Sequence, residues 1–186
     1  MEKLFLVLFV GIFSIGINLS SFAEENFVDE IDLIEKISDA GLDFLYVQNP
    51  RMHDLELERF LLALPERIRQ KTFLCGSPNA AQEFGLLGFH QTFDWMKQNE
   101  AAVLRTNLQV SVFLEKASDL QKLSIPLRKK ISQILLPGNE NAENLNGAFF
   151  CCDATEKPAG IENAAFISGI WEFADSVAAW KRFSTK

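Results

Sequence analysis

Residues Val28 to Val47 read VDEIDLIEKISDAGLDFLYV, and the fold class follows from how this stretch divides. Val28, Ile31, Ile34 and Ile37 recur at helical spacing, and Gly41 follows as a stop, so the pattern predicts an amphipathic helix over Val28–Ala40. Phe44-Leu45-Tyr46-Val47 is then a short apolar run between Asp43 and Gln48, which fits a strand in length and composition. Helix, glycine turn and strand form one unit of an alternating chain.

The alternation continues downstream. Asp54 caps a helix striped by Leu57, Phe60, Leu61 and Leu64, broken at Pro65, and Thr72–Cys75 is a strand. Pro78 opens a helix whose inner face is Ala81 and Phe84 and which Gly85 ends, before a strand over Leu87–His90. Phe93–Leu104 reads as a helix, Gln109–Phe113 as a strand, and Ser118–Leu123 as a short helix capped by Ser118. Lys129–Ser132 is a basic approach to a strand at Gln133–Leu136. The Asn- and Glu-rich segment 138–146 carries no helical stripe. Ala148–Cys152 and Ala164–Ser168 are further strands, and Asp175 caps a closing helix through Phe183 with Val177 and Trp180 on one side.

Leu4–Val10 would add an eighth strand. Strands separated by helices are too far apart for hairpins, so parallel pairing with right-handed crossovers is required. Eight such strands predict a closed (β/α)₈ TIM-type barrel, small at 186 residues and lacking the helix after its sixth strand. An open doubly wound sheet is the alternative, without the glycine-rich phosphate turn of a dinucleotide fold. No linker or low-complexity tract divides the chain, so residues 1–186 are expected to form one domain.

Composition narrows the partners. At 48% apolar residues and a net charge of −7, the chain suits a packed domain and opposes a phosphate-backbone partner, so nucleic acid is not expected. Cys75, Cys151 and Cys152 have neither an even count nor zinc spacing and read as free core thiols. The N-terminus admits two readings. The uncharged run Leu4–Ala23, with Lys3 before it and Ser21-Phe22-Ala23 ahead of Glu24, has the form of a signal peptide cleaved after Ala23 and predicts export. Removing it would delete the first strand, so cytoplasmic retention is the expectation, with no stable membrane span.

Several segments, in order, resemble the thiamine phosphate synthase family, which includes the thiazole tautomerases. They are Ile34–Pro50 (IEKISDAGLDFLYVQNP), Leu62–Gly88 (LALPERIRQKTFLCGSPNAAQEFGLLG) with Phe89-His90, and Phe166–Phe183 (FISGIWEFADSVAAWKRF), with a weaker match at Val110-Ser111. The resemblance implies a (β/α)₈ barrel whose strand ends bind a pyrimidine pyrophosphate and a thiazole phosphate with Mg²⁺, and a transferase reaction that joins the two and releases pyrophosphate.

The site residues depart from the family pattern. Gln48 and Asn49 stand where the family has a basic pair, with Arg51 displaced nearby. Cys75 and Gly76 replace an Asn-Asp or His-Asp pair, and Asp94 matches the metal carboxylate loosely. His90 and Ser111 persist, Phe113 replaces a polar residue, and Pro137 remains without the threonine-lysine loop. Cys151 and Cys152 replace the paired glycines, while Ser168 and Gly169 survive. Losing the cations, the metal carboxylate and the amide cradle together predicts a pseudoenzyme with no catalytic set, because one such contact is often worth about 10² to 10³ in rate.

The expected function is therefore binding of a small phosphorylated or thiazole-like ligand at Gln48, Arg51, His90, Ser111, Ser168 and Gly169, with no cofactor. An active thiamine-pathway transferase with relocated residues, then needing Mg²⁺, is one alternative. A non-enzymatic scaffold that oligomerises through the face left by the missing helix is the other. Beside these stand plainer readings: His90 as a hydrogen-bonded structural residue, His53 and Arg51 as surface groups, and Arg128-Lys129-Lys130 as a solvated helix end.

Overall fold

The computed structural model describes residues 6–9, 14–17, 28–48, 54–137, 148–153, 164–168, 175, 177–178 and 180–181. Strands β1 (Leu6–Phe9) and β2 (Ser14–Ile17) are followed by α1 (Val28–Asp39) and β3 (Phe44–Val47). Next come α2 (Asp54–Ala63), α3 (Glu66–Arg69), β4 (Thr72–Cys75), α4 (Pro78–Glu83) and β5 (Gly88–Thr92). Then α5 (Phe93–Gln98), α6 (Glu100–Arg105), β6 (Gln109–Phe113), a 3₁₀ turn (Ala117–Lys122), α7 (Ile125–Lys130) and β7 (Ile131–Pro137) lead to β8 (Ala148–Asp153) and β9 (Ala164–Ser168).

The sheet runs β2-β1-β3-β4-β5-β6-β7-β8-β9. Strands β3 to β7 make a five-stranded parallel half-barrel, and β8 and β9 continue it in parallel. The expected closed (β/α)₈ barrel is corrected at this point. β1 pairs antiparallel with β2, because the four residues between them allow a hairpin and no crossover, and it is antiparallel to β3 as well. The sheet is open and curled. β9 comes to lie beside β1 and β2, yet among the described residues no ladder joins them. The trimmed segment 138–147, the closing Phe183 and the proposed cleavage site at Ala23 lie outside the described residues.

Most of the core lies between the sheet and its helices. Outward strand residues Leu45, Val47, Leu74, Phe89, Val110, Val112 and Leu136 pack against Ile34, Ile37, Phe60, Leu61, Ala81, Met96, Val103 and Leu127. Period two in the strands and 3.6 in the helices put these residues on facing surfaces. Trp180 is fully buried and donates from Nε1 to the Ala40 carbonyl at 3.0 Å, tying the C-terminal residues to the end of α1. Ala178 N donates to Asp175 Oδ1 at 2.8 Å, as the capping pattern predicts.

Local differences from the sequence reading have local causes. The helix expected over Phe93–Leu104 breaks at Asn99, whose side chain donates to the Trp95 carbonyl at 2.9 Å and competes with helix continuation. The short helix at Ser118 is a 3₁₀ turn that starts earlier; the Asp119 carboxylate, not Ser118, accepts from Lys116 N at 3.2 Å. The basic run before β7 belongs to α7, which Ser124 caps by accepting from Leu127 N at 3.3 Å. Pro126 suits its first turn.

Candidate functional site at the inner face of the sheet

Alternate residues of the same strands face the concave side. Tyr46, Phe73 and Leu135 are buried there, with Phe44, Cys75, Leu87, Phe113 and Cys151 packed around them. Tyr46 stacks on Phe73 with ring centroids 4.9 Å apart, and Phe44 meets Phe73 edge-on at 5.8 Å. Gly88 makes room for this stack: a Cβ there would stand 2.8 Å from Phe73 Cε1 and 2.2 Å from the Gln109 carbonyl oxygen.

One chain of polar groups crosses the apolar surface. Tyr46 Oη lies 2.8 Å from Ser111 Oγ, and Ser111 Oγ lies 2.9 Å from His90 Nδ1. The His90 ring also meets the Tyr46 ring edge-on at 5.2 Å. Strand register builds the group: His90 pairs with Ser111 across β5 and β6, and β3 brings Tyr46 from two strands away. A bulge follows on β7, where Ile131 is opposite Val110 but Gln133 is opposite Ser111. The skipped Ser132 donates to the Val110 carbonyl at 3.0 Å, which fixes the kink beside Ser111.

Electrostatically the group is neutral. Burial lowers His90 from its ordinary value to about 3, because the imidazolium would lose its hydration. Burial raises Tyr46 well above the usual phenol, partly offset by its hydrogen bond with Ser111, and the Cys75 and Cys151 thiols nearby add to the rise. Burial likewise raises the Cys75 thiol, so it stays protonated. A serine hydroxyl has one proton and two lone pairs, so Ser111 can relay polarity between phenol and imidazole in either direction. The arrangement suits orientation of a neutral polar group at His90.

The sequence-predicted residues fall into three groups. His90 and Ser111 are brought together; His90 is part-exposed at the rim, whereas Ser111 is fully buried behind it. Gln48 is exposed just past the end of β3, and Ser168 ends β9 opposite Asp153. Arg51 and Gly169 lie outside the described residues. Asp94 is exposed in the first turn of α5, where Thr92 and not Asp94 provides the cap by accepting from Trp95 N at 3.4 Å. Cys75 and Cys151 are free thiols, and no cluster of three metal-ligating side chains occurs among the described residues. Tyr46 was not singled out from sequence. It is the chain's one tyrosine, and it stands on β3 two residues before Gln48. A hydroxyl in an otherwise apolar strand requires a partner, and that signal would have found it.

No helix among the described residues is long and apolar enough to cross a membrane. No family model and no curated protein matches the sequence. Among solved structures, the fold is similar to that of thiamine phosphate pyrophosphorylase from Bacteroides thetaiotaomicron, with a TM-score of 0.64 at 17% identity over 87% of this chain and 92% of that chain. The likeness is one of fold, and it joins this open α/β sheet to a thiamine-phosphate-synthase-like architecture.

Proposed function

We propose that the protein uses a thiamine-phosphate-synthase-like fold to bind a small thiazole-like ligand at the inner rim of its sheet, without carrying out the synthase reaction. The observation that carries this reading is the Tyr46–Ser111–His90 chain, a neutral polar group set among aromatic rings and thiols. Such a surface suits a flat, weakly polar ring, with His90 making the contact and Ser111 and Tyr46 orienting it from behind. Gln48 is a further uncharged contact. Arg51, Ser168 and Gly169 complete the proposed set, and Arg51 is the group that would favour a phosphorylated form of the ligand.

The loss of turnover rests on the residues at the strand ends. A departing pyrophosphate needs cations and carboxylate-held Mg²⁺, and here Gln48, Cys75, Gly76 and Cys151 stand at positions that would have to supply them. Titration calorimetry with a thiazole alcohol and its phosphate tests binding, and His90→Ala should abolish the heat. Incubation with thiazole phosphate, pyrimidine pyrophosphate and Mg²⁺ tests chemistry. Formation of thiamine phosphate would replace this reading with that of an active transferase.

A further inference from the structure

A cavity of about 330 Å³ opens on the outer side of the helical layer, between α4 and the α5–α6 pair. Asn79 and Gln82 of α4, Trp95 of α5, Ala102 and Arg105 of α6 and Thr106 beyond it line the space. The sheet separates it from the inner rim. Trp95 packs edge-on at 6.0 Å against Phe89, a residue of the outer core, whereas the next residue, His90, belongs to the opposite face of β5. The groove is thus a different place from the proposed thiazole-like site, and nothing in that reading uses it.

We propose that this groove is a second binding site, for a planar aromatic carboxylate. Arg105 donates from Nε to the Ala101 carbonyl at 3.1 Å, which fixes the near edge of the guanidinium at the end of α6. Among the described residues no ion pair engages its remaining N–H groups. The rest of the lining is neutral: a proline, two exposed amides, an alanine, an indole and a threonine hydroxyl that accepts from Leu108 N at 3.2 Å and so keeps its own proton to donate. A guanidinium fork matches a carboxylate with two parallel hydrogen bonds, and the half-buried Trp95 offers an apolar ring surface beside it. One cation with neutral donors balances one negative charge; a phosphate dianion would ask for more. The volume lies at the small end of ligand pockets and accommodates one ring with its carboxylate. Against a net charge of −7, selectivity for an anion here is local to Arg105.

The test is titration of benzoate into the full chain, followed by amide and indole N–H nuclear magnetic resonance, with benzyl alcohol as the uncharged control. Saturable shifts centred on Trp95, Gln82 and Arg105 are expected, with benzoate favoured over benzyl alcohol by at least about tenfold, the scale of a charge-assisted bidentate contact. Arg105→Gln, at an exposed position, should erase that preference, and Ala102→Leu should fill the groove and abolish binding of both compounds. Equal binding of benzoate and benzyl alcohol, undiminished benzoate binding by Arg105→Gln, or shifts centred on His90 would each overturn the proposal.

Discussion

Replacing Gly88 with alanine probes the packing that supports the inner face. The new methyl would stand 2.2 Å from the Gln109 carbonyl oxygen, 2.8 Å from the Gln109 carbonyl carbon and 2.8 Å from Phe73 Cε1. Ordinary contacts begin near 3.4 Å, so the overlap with backbone exceeds 1 Å and no side-chain rotation relieves it. Relief requires β5 and β6 to part where Gly88 pairs with Gln109, two residues before His90 pairs with Ser111. Overpacking without such a backbone clash costs about 1–3 kcal/mol, so a loss of about 3 kcal/mol or more is expected, together with a weakened His90–Ser111 bond. Gly76→Ala is the internal control. Its Cβ would meet only Leu74 Cγ at 3.9 Å, and its cost should stay within about 1 kcal/mol. Urea unfolding followed by tryptophan fluorescence measures both. Equal midpoints for the two variants would refute the claim that β5 and β6 are held this close by the missing side chain.

Other outcomes follow from the same geometry. Ser111→Ala removes the hydroxyl shared by Tyr46 and His90 and should cost about 2–4 kcal/mol in urea unfolding; adding Tyr46→Phe should recover part of it, giving a non-additive double-mutant cycle. His90 is held near pKa 3 against 6.5 when unfolded, so the unfolded chain binds the extra proton. Its contribution is therefore complete above pH 6.5 and declines as pH falls toward 3, by up to about 1.4 kcal/mol per unit, and His90→Gln should flatten that slope in unfolding measured across pH. Cys75, its thiol raised by burial, should resist iodoacetamide in the native protein at pH 8 and react once unfolded, as read by peptide mass spectrometry. Trp180→Ala should cost about 3–5 kcal/mol in thermal or urea unfolding, because it empties a fully buried site and frees the Ala40 carbonyl.

The individual helices and strands of the half-barrel were legible in the sequence because they follow local rules. Val28–Val47 divides into α1 and β3 as its periodicity requires, with Gly41 at φ 101° as the left-handed stop. Thr72–Cys75 and Gln109–Phe113 coincide with β4 and β6. Closure was not legible, because an interior parallel strand and half of an apolar hairpin look alike: the uncharged run at the N-terminus contains both β1 and β2. Pairing partners are set by loop length and long-range contacts, and strand composition does not encode them.

The site was half legible for a similar reason. His90 and Ser111 stood out through the family resemblance, and strand register alone brings them side by side. Tyr46 reaches Ser111 across two intervening strands, β4 and β5, a proximity that depends on the curl of the sheet. Ser111 read as a ligand contact because it is polar near a strand end, yet its hydroxyl is spent on Tyr46 and His90.

The most direct test of the neutral rim is the protonation state of His90 itself. The chain has two histidines, so an imidazole ¹⁵N spectrum with His53→Gln as reference assigns the signal. At pH 5, a neutral His90 imidazole that shifts on addition of a thiazole alcohol, and does not shift with Ser111→Ala, is the predicted result. A protonated His90 at that pH, or a signal indifferent to the thiazole alcohol, would contradict the account.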